Sequence, residues 1–143
     1  MRGCVLLLAG TIASCSGMAA QDEWTHLQSA IDGVLHEPAR RPAELATVMP
    51  EDLRDAAWVI GVESGLARSC GLDWRAERYA PMMAIAASSG IFDTRQLDGL
   101  STWHAAAQAA AEEAARTHGG CSPQLRAWLG ARGLHGNTEP VTG

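Results

Sequence analysis

Cys70 and Cys121 restrict the fold of this 143-residue chain more than any other feature. Each follows a helix-forming run and stands beside glycine, in Ser69-Cys70-Gly71 and in Gly119-Gly120-Cys121. The remaining cysteines, Cys4 and Cys15, fall in the first twenty residues. In an oxidising compartment such an isolated pair is expected to form one structural disulfide. It would close a loop of about fifty residues and add roughly 4 kcal/mol of stability in the chain-entropy model, a large share of what holds a small domain together. A metal or redox role for these cysteines lacks ligands. There is no CxxC or CxxCH, and His118 is the sole histidine three or four residues from either sulfur.

The stretch ahead of the domain reads as an export signal. Met1 and Arg2 form a short positive end, and Cys4 to Ala13 is an apolar run of about ten residues, suited to a signal and too short to span a bilayer. Ile12-Ala13-Ser14-Cys15 resembles the bacterial lipobox, in which the cysteine takes a diacyl group, so Cys15 is a candidate lipidation site. Gly17-Met18-Ala19 and Met18-Ala19-Ala20 supply the small residues of an ordinary cleavage site. The expected division is a signal peptide over residues 1–20, one helical domain over 21–132 and a flexible tail over 133–143. Either cut takes the chain out of the cytoplasm, to the periplasm or to an outer-membrane attachment. Membrane association is expected only through a lipidated Cys15. The net charge of −5 disfavours nucleic acid and anionic lipid head groups as partners.

Beyond residue 21 the spacing is helical throughout, which predicts an all-α fold, a small bundle of about four to five helices stapled by one disulfide. Trp24, Leu27, Ile31, Val34 and Leu35 share one face of a first helix that Pro38 closes. Residues 37–50 carry three prolines and form a linker. A second helix opens at Pro50-Glu51-Asp52 and stops at Gly71, and a third, from near Asp73 to Gly90, should kink or break at Pro81. In Phe92-Asp93-Thr94-Arg95-Gln96-Leu97, Asp93 caps, Gln96 reaches back and Phe92 staples to Leu97, opening an alanine-rich helix that ends at Gly119-Gly120. Ser122-Pro123 starts a last short helix bearing Leu125, Trp128 and Leu129. Short turns send the second, third and fourth helices up, down and up, which brings Cys70 and Cys121 to the same end.

Within the second helix, Glu63 falls on a helical wheel between Val59 and Ala56, in an apolar arc with Ile60, Ala67 and Cys70. A carboxylate there needs a partner. Counted from the shared disulfide end at 1.5 Å per residue, Glu63 lies about 10 Å down, His118 about 5 Å and His104 about 25 Å, so His118, Arg75 or Arg78 is the expected partner rather than His104. The five tryptophans, at 24, 58, 74, 103 and 128, fall one to a helix as core anchors. Trp58 shares its side of the wheel with Arg54, Gly65 and Ser69, which marks it as a candidate partner surface. Gly61 and Gly65 would let the alanine-rich helix approach closely, leaving little room for a pocket.

The segment Val59-Ile60-Gly61-Val62-Glu63-Ser64-Gly65 resembles the first motif of lytic transglycosylases, peptidoglycan-cleaving enzymes with a catalytic glutamate followed by serine late in a helix. That resemblance implies Glu63 as a general acid with Ser64 as its companion, over about ten residues of the chain. In size and cysteine spacing the chain is also similar to acid-stress periplasmic chaperones. The expectation is therefore a non-catalytic binding or structural protein of the cell envelope, acting on an envelope protein. The two alternatives are a transglycosylase-like enzyme using Glu63 and an acid-stress chaperone. No cofactor motif and no metal-ligand cluster is found in the sequence.

Overall fold

In the computed structural model the described residues are 15–36, 41–43 and 50–136, and their regular structure is entirely helical. The elements are α1 (Cys15–His36), α2 (Glu51–Ser69), a π-helical turn (Arg75–Tyr79) running directly into α3 (Ala80–Ser88), α4 (Thr94–Thr117) and α5 (Pro123–Gly130). The chain thus forms the expected all-α bundle, with Cys70 bonded to Cys121 across a separation of 51 residues and a Cα–Cα distance of 4.9 Å.

α2 and α4 form the central pair. Gly61 lies against the His104 carbonyl and the Ala107 methyl, and Gly65 against the Gln108 carbonyl and the Ala111 methyl. Both contacts advance four residues in the same direction on each helix, so the two run parallel, as the disulfide topology requires. A methyl group on Gly61 would stand 2.5 Å from the His104 oxygen, a distance no relaxed structure tolerates. Glycine on one helix and alanine on the other therefore let the backbones nearly touch. Leu66, Ala67, Ala107, Ala111 and Ala115 complete a dry seam.

The helix ends follow from local chemistry. The Asp93 carboxylate accepts from Gln96 N at 2.8 Å while Asp93 N donates to the Gln96 side chain at 3.0 Å, the expected reciprocal cap. α2 ends with Gly71 at φ 68°, where Leu72 N donates to Ala67 O and Gly71 N to Arg68 O, both at 3.0 Å. This is a Schellman ending, and the leucine after the glycine turns inward and is buried. α5 ends in the same way: Gly133 has φ 80°, Leu134 N donates to Leu129 O at 3.1 Å, and Leu134 is buried. The tail expected from residue 133 is corrected by this motif, since a Gly-Leu pair after a helix docks its leucine. Residues 137–143 of that tail lie outside the described residues, as do most of the linker and residues 1–14 of the export segment.

Pro81 neither ends nor breaks the third helix. The turn before it widens instead, with Ala80 N donating to Arg75 O five residues back. Proline has no N–H to give and crowds the carbonyl four residues before it, and a π turn relieves both.

Trp58 is corrected outright. It is fully buried, its Nε1 donates to Val34 O of α1 at 2.8 Å, and its ring meets Trp103 edge-on with centroids 5.9 Å apart. It anchors the core and offers no partner surface. The error lies in the wheel: α2 is covered by α1 on one side and α4 on the other, so its buried arc runs through Ala57, Trp58, Gly61, Val62, Gly65 and Leu66. Val59, placed in the apolar arc by sequence, is 45% exposed.

α1 begins at Cys15 and passes through the expected cleavage point without a break. Its buried core residues are Leu27, Ile31 and Val34, and Trp24 is the first α1 residue packed against the core. Among the described residues, no helix is long and apolar enough to cross a membrane.

Candidate ligand groove

The π turn decides where the polar side chains go. Arg78 leaves it toward α2, where its Nε donates to Glu63 Oε2 at 2.7 Å, and the Arg132 guanidinium stands 3.7 Å from Glu63 Oε1. Arg78 is among the partners expected for Glu63. His118 instead stacks with His26, and Arg75 lies over the rings of Trp74 and Tyr79. Each oxygen of Glu63 is thus occupied by a guanidinium, its side chain is only 17% exposed, and a glycosidic oxygen would have to displace Arg78 to reach it.

Tyr79 leaves the π turn on another side and, with Trp74, Arg75 and Arg68, walls a groove of about 510 Å³ whose α4 side is Ser101, His104, Ala105 and Gln108. His104 lies just under the groove, 1% exposed. Trp74 stacks on it at 5.9 Å, Tyr79 tilts against it at 4.9 Å, and the Tyr79 hydroxyl is bonded to Ser101 Oγ at 2.8 Å. Burial pushes the His104 imidazole down to about 4, so it is neutral at ordinary pH.

Ser64 and His104 are in contact, Oγ to Nε2, at 2.9 Å, a pairing that invites comparison with nucleophilic catalysis. The setting argues against it. Ser64 Oγ has one hydrogen and two acceptors at 2.9 Å, Ile60 O and His104 Nε2, so the backbone carbonyl competes for the proton that a general base would take. Ser64 is also fully buried, and no carboxylate is found on His104 among the described residues. The pair is a packing hydrogen bond that locks the imidazole.

Gln108 is the unusual member. It is 7% exposed, it lines the groove, and its Nε2 is buried without a hydrogen-bond partner. On the opposite flank Arg68 donates to Glu112 at 3.2 Å, whereas Arg75 has no carboxylate partner among the described residues. No group of three or more His, Cys, Asp or Glu side chains among the described residues is placed to hold a metal ion.

Sequence spacing therefore put Arg78, with His118 and Arg75, among the partners of Glu63 and joined Cys70 to Cys121, and it missed the groove. The depth count placed His104 too far from the disulfide end because α4 runs on to Thr117 before the chain turns back to Cys121. His104 and Gln108, four apart on α4, were the available signal: two polar residues on the alanine face opposite the α2 glycines. Cys15, the candidate lipidation site, is the first residue of α1. Comparison with family models, curated proteins and solved structures gives no match.

Proposed function

We propose that this chain is a non-catalytic binding protein of the bacterial cell envelope, exported by residues 1–20 and holding a small ligand in the His104 groove. The groove itself carries this reading: about 510 Å³ walled by the rings of Trp74 and Tyr79 and by the Arg75 guanidinium, which has no carboxylate partner among the described residues. The bonded cysteine pair supports an oxidising destination, and cleavage after Ala20 would spare Trp24 and the buried residues of α1. The complete burial of Ser64 and the arginines on Glu63 both argue against hydrolysis or glycan cleavage at these residues.

The test has two arms. Mass spectrometry of protein recovered from a bacterial envelope should find Ala20 or Gln21 at the amino terminus. A diacylglyceryl-Cys15 terminus would put the bundle on the membrane, and retention of residues 1–20 in the cytoplasm would overturn export. Release of glycan fragments from peptidoglycan by the parent, lost in Glu63→Gln, would overturn the non-catalytic reading.

One observation favours the acid-stress chaperone as a second reading. His104 is held neutral by burial, and a separate apolar groove of about 220 Å³ lies between Leu53 and Ile60 of α2 and Met82 and Ile85 of α3, with Ile85 70% exposed. The groups facing His104 are Ser64 from α2 and Trp74 and Tyr79 from the π segment, with the Arg75 cation beyond them, so a proton added at low pH meets no anion. Suppression of client aggregation at pH 3 and not at pH 7 would support this reading, and inactivity at both would remove it.

A further inference from the structure

We infer that the open apolar face of α3 docks a second copy of this chain, so that the protein forms a weak two-fold dimer. The apolar groove on that face shares no lining residue with the ligand groove. From Ala80 to Phe92 the sequence has no charged residue and no histidine, although charged residues make up 19% of the chain. A helix without a polar side belongs inside a core, yet Ala86 is the sole buried residue of α3. Ile85 is 70% exposed and Ile91, just past the helix, 73%. The serines do not supply a wet side either. Ser88 Oγ donates to Ile85 O at 3.2 Å and Ser89 Oγ to Ala86 O at 2.7 Å, so both hydroxyl hydrogens are committed to their own helix.

Charge, shape and position select a second copy as the occupant. A partner recognised by charge needs complementary groups, and α3 has none to offer. Two copies of net charge −5 repel over most of their surfaces, so an uncharged face is where they can meet. The same face carries both a knob and a hole. The apolar groove of about 220 Å³ between α2 and α3 has room for one aliphatic side chain, Ile85 forms part of its rim, and Ile91 stands next to Phe92, which also lines it. Under a two-fold axis the isoleucines of each copy meet the groove of the other, and both contacts form at once. Position excludes a bilayer. α1 enters at the disulfide end, where Glu23 lies against Gly119, whereas the groove is lined by Leu53 and Leu100, near the starts of α2 and α4, at the opposite end. A lipid on Cys15 would hold the membrane away from α3. Area sets the strength. α3 and the first turns of α2, on either side of the groove, span about 15 Å by 20 Å, or roughly 500 Å² of accessible surface with side-chain relief. Two such faces bury about 1,000 Å², the lower limit of a specific interface, which fits a reversible dimer.

Sedimentation equilibrium of the oxidised protein, from about 1 µM to about 1 mM, tests the dimer. The mass should rise from one chain to two, with a dissociation constant of about 10–100 µM. Ile85→Glu places a charge in the interface and should weaken the dimer by about 100-fold, leaving the protein monomeric over most of that range. Ile91→Glu, outside the helix and equally exposed, should do the same, and Ile85→Leu should keep the dimer within about threefold. Ser29→Glu adds the same charge at an exposed position of α1 and should leave the dissociation constant within about twofold. A single chain at every concentration overturns the proposal. So does a dimer that neither glutamate weakens, since its interface then lies elsewhere, and so does one that Ser29→Glu weakens as much as Ile85→Glu, since net charge alone then governs association.

Discussion

Along α4, the seam with α2 and the groove beside the π turn are packed differently. On the α2 side Gly61 and Gly65 bring backbone against backbone, alanines fill what remains, and the one buried hydrogen bond between side chains among the described residues joins Ser64 to His104. One turn further along α4, Gln108 has a buried Nε2 without a partner, and from the π turn Arg75 brings to the groove a charge with no carboxylate partner among the described residues. Buried donors without a partner thus occur both in the core, at Trp103 Nε1 beside Trp58, and next to the groove, at Gln108 Nε2, and a domain of this size has little stability to spare for either. The seam supplies rigidity, and the groove is built on its back. A site placed on a rigid helix keeps its donors in position before the ligand arrives, which lowers the entropy that binding must overcome.

Breaking the seam at its end should have the largest effect. The disulfide joins the end of α2 to the residues just past α4, and its loss frees a loop of 51 residues. Replacing both Cys70 and Cys121 with serine should cost about 4 kcal/mol and lower the thermal midpoint by roughly 15 °C. An unchanged midpoint by calorimetry would mean that the α2–α4 contact alone holds the two ends.

Breaking the seam in its middle comes next. Gly65→Ala places a methyl group on the Gln108 carbonyl, which cannot retreat without moving α4, and should cost about 3 kcal/mol. Gly33→Ala is the control: it lies in α1 with nothing near its would-be methyl, and it should instead gain about 0.5–1 kcal/mol from helix propensity. Denaturant midpoints of the two variants moving in the same direction would refute close packing as the basis of the seam.

Acid probes the boundary between the two faces through His104. Its pKa is about 4 when folded, against about 6.5 in an unfolded chain, so the unfolded state binds the proton first as pH falls. The stability due to neutral His104 is complete above pH 6.5, is lost progressively from there down to about 4, and changes no further below. Between pH 7.5 and 4 this loss should reach about 3 kcal/mol. His104→Gln, whose amide can donate to or accept from Ser64, should flatten the profile in that window. A variant as acid-sensitive as the parent would assign the loss to other groups.

The features legible in the sequence were those set by neighbours in the chain. The Asp93–Gln96 cap, the glycine stops and the end-on meeting of Cys70 with Cys121 each depend on a few consecutive residues or on the parity of short turns. What was misread depends on who covers whom. The wheel of α2 weighed side-chain apolarity, yet its most intimate contact is made by Gly61 and Gly65, which have no side chain to weigh, and Trp58 was left outside because α1 was not yet in place to cover it. Leu134 was a signal overlooked, since Gly133-Leu134 repeats the pattern of Gly71-Leu72. The groove was illegible for another reason. It depends on a π turn that redirects Arg78 and Tyr79 to different partners, and neither periodicity nor composition encodes that widening beyond the presence of Pro81.

The smallest expected change is the sharpest test of the contrast between the faces. Gln108→Leu keeps nearly the same volume and removes an amide whose nitrogen has no partner. Removing a satisfied buried group costs stability, whereas removing an unsatisfied one is neutral or mildly favourable, so the variant should be as stable as the parent or more stable by up to about 1 kcal/mol. Ser64→Ala, on the α2 side, takes away the hydrogen-bond partner of the buried His104 Nε2 and should cost about 1–2 kcal/mol. The difference in sign between two polar-to-apolar changes about one helix turn apart along the bundle is the prediction. If denaturant unfolding shows Gln108→Leu to be as damaging as Ser64→Ala, the Gln108 amide is matched within the fold and the contrast between the two polar groups falls.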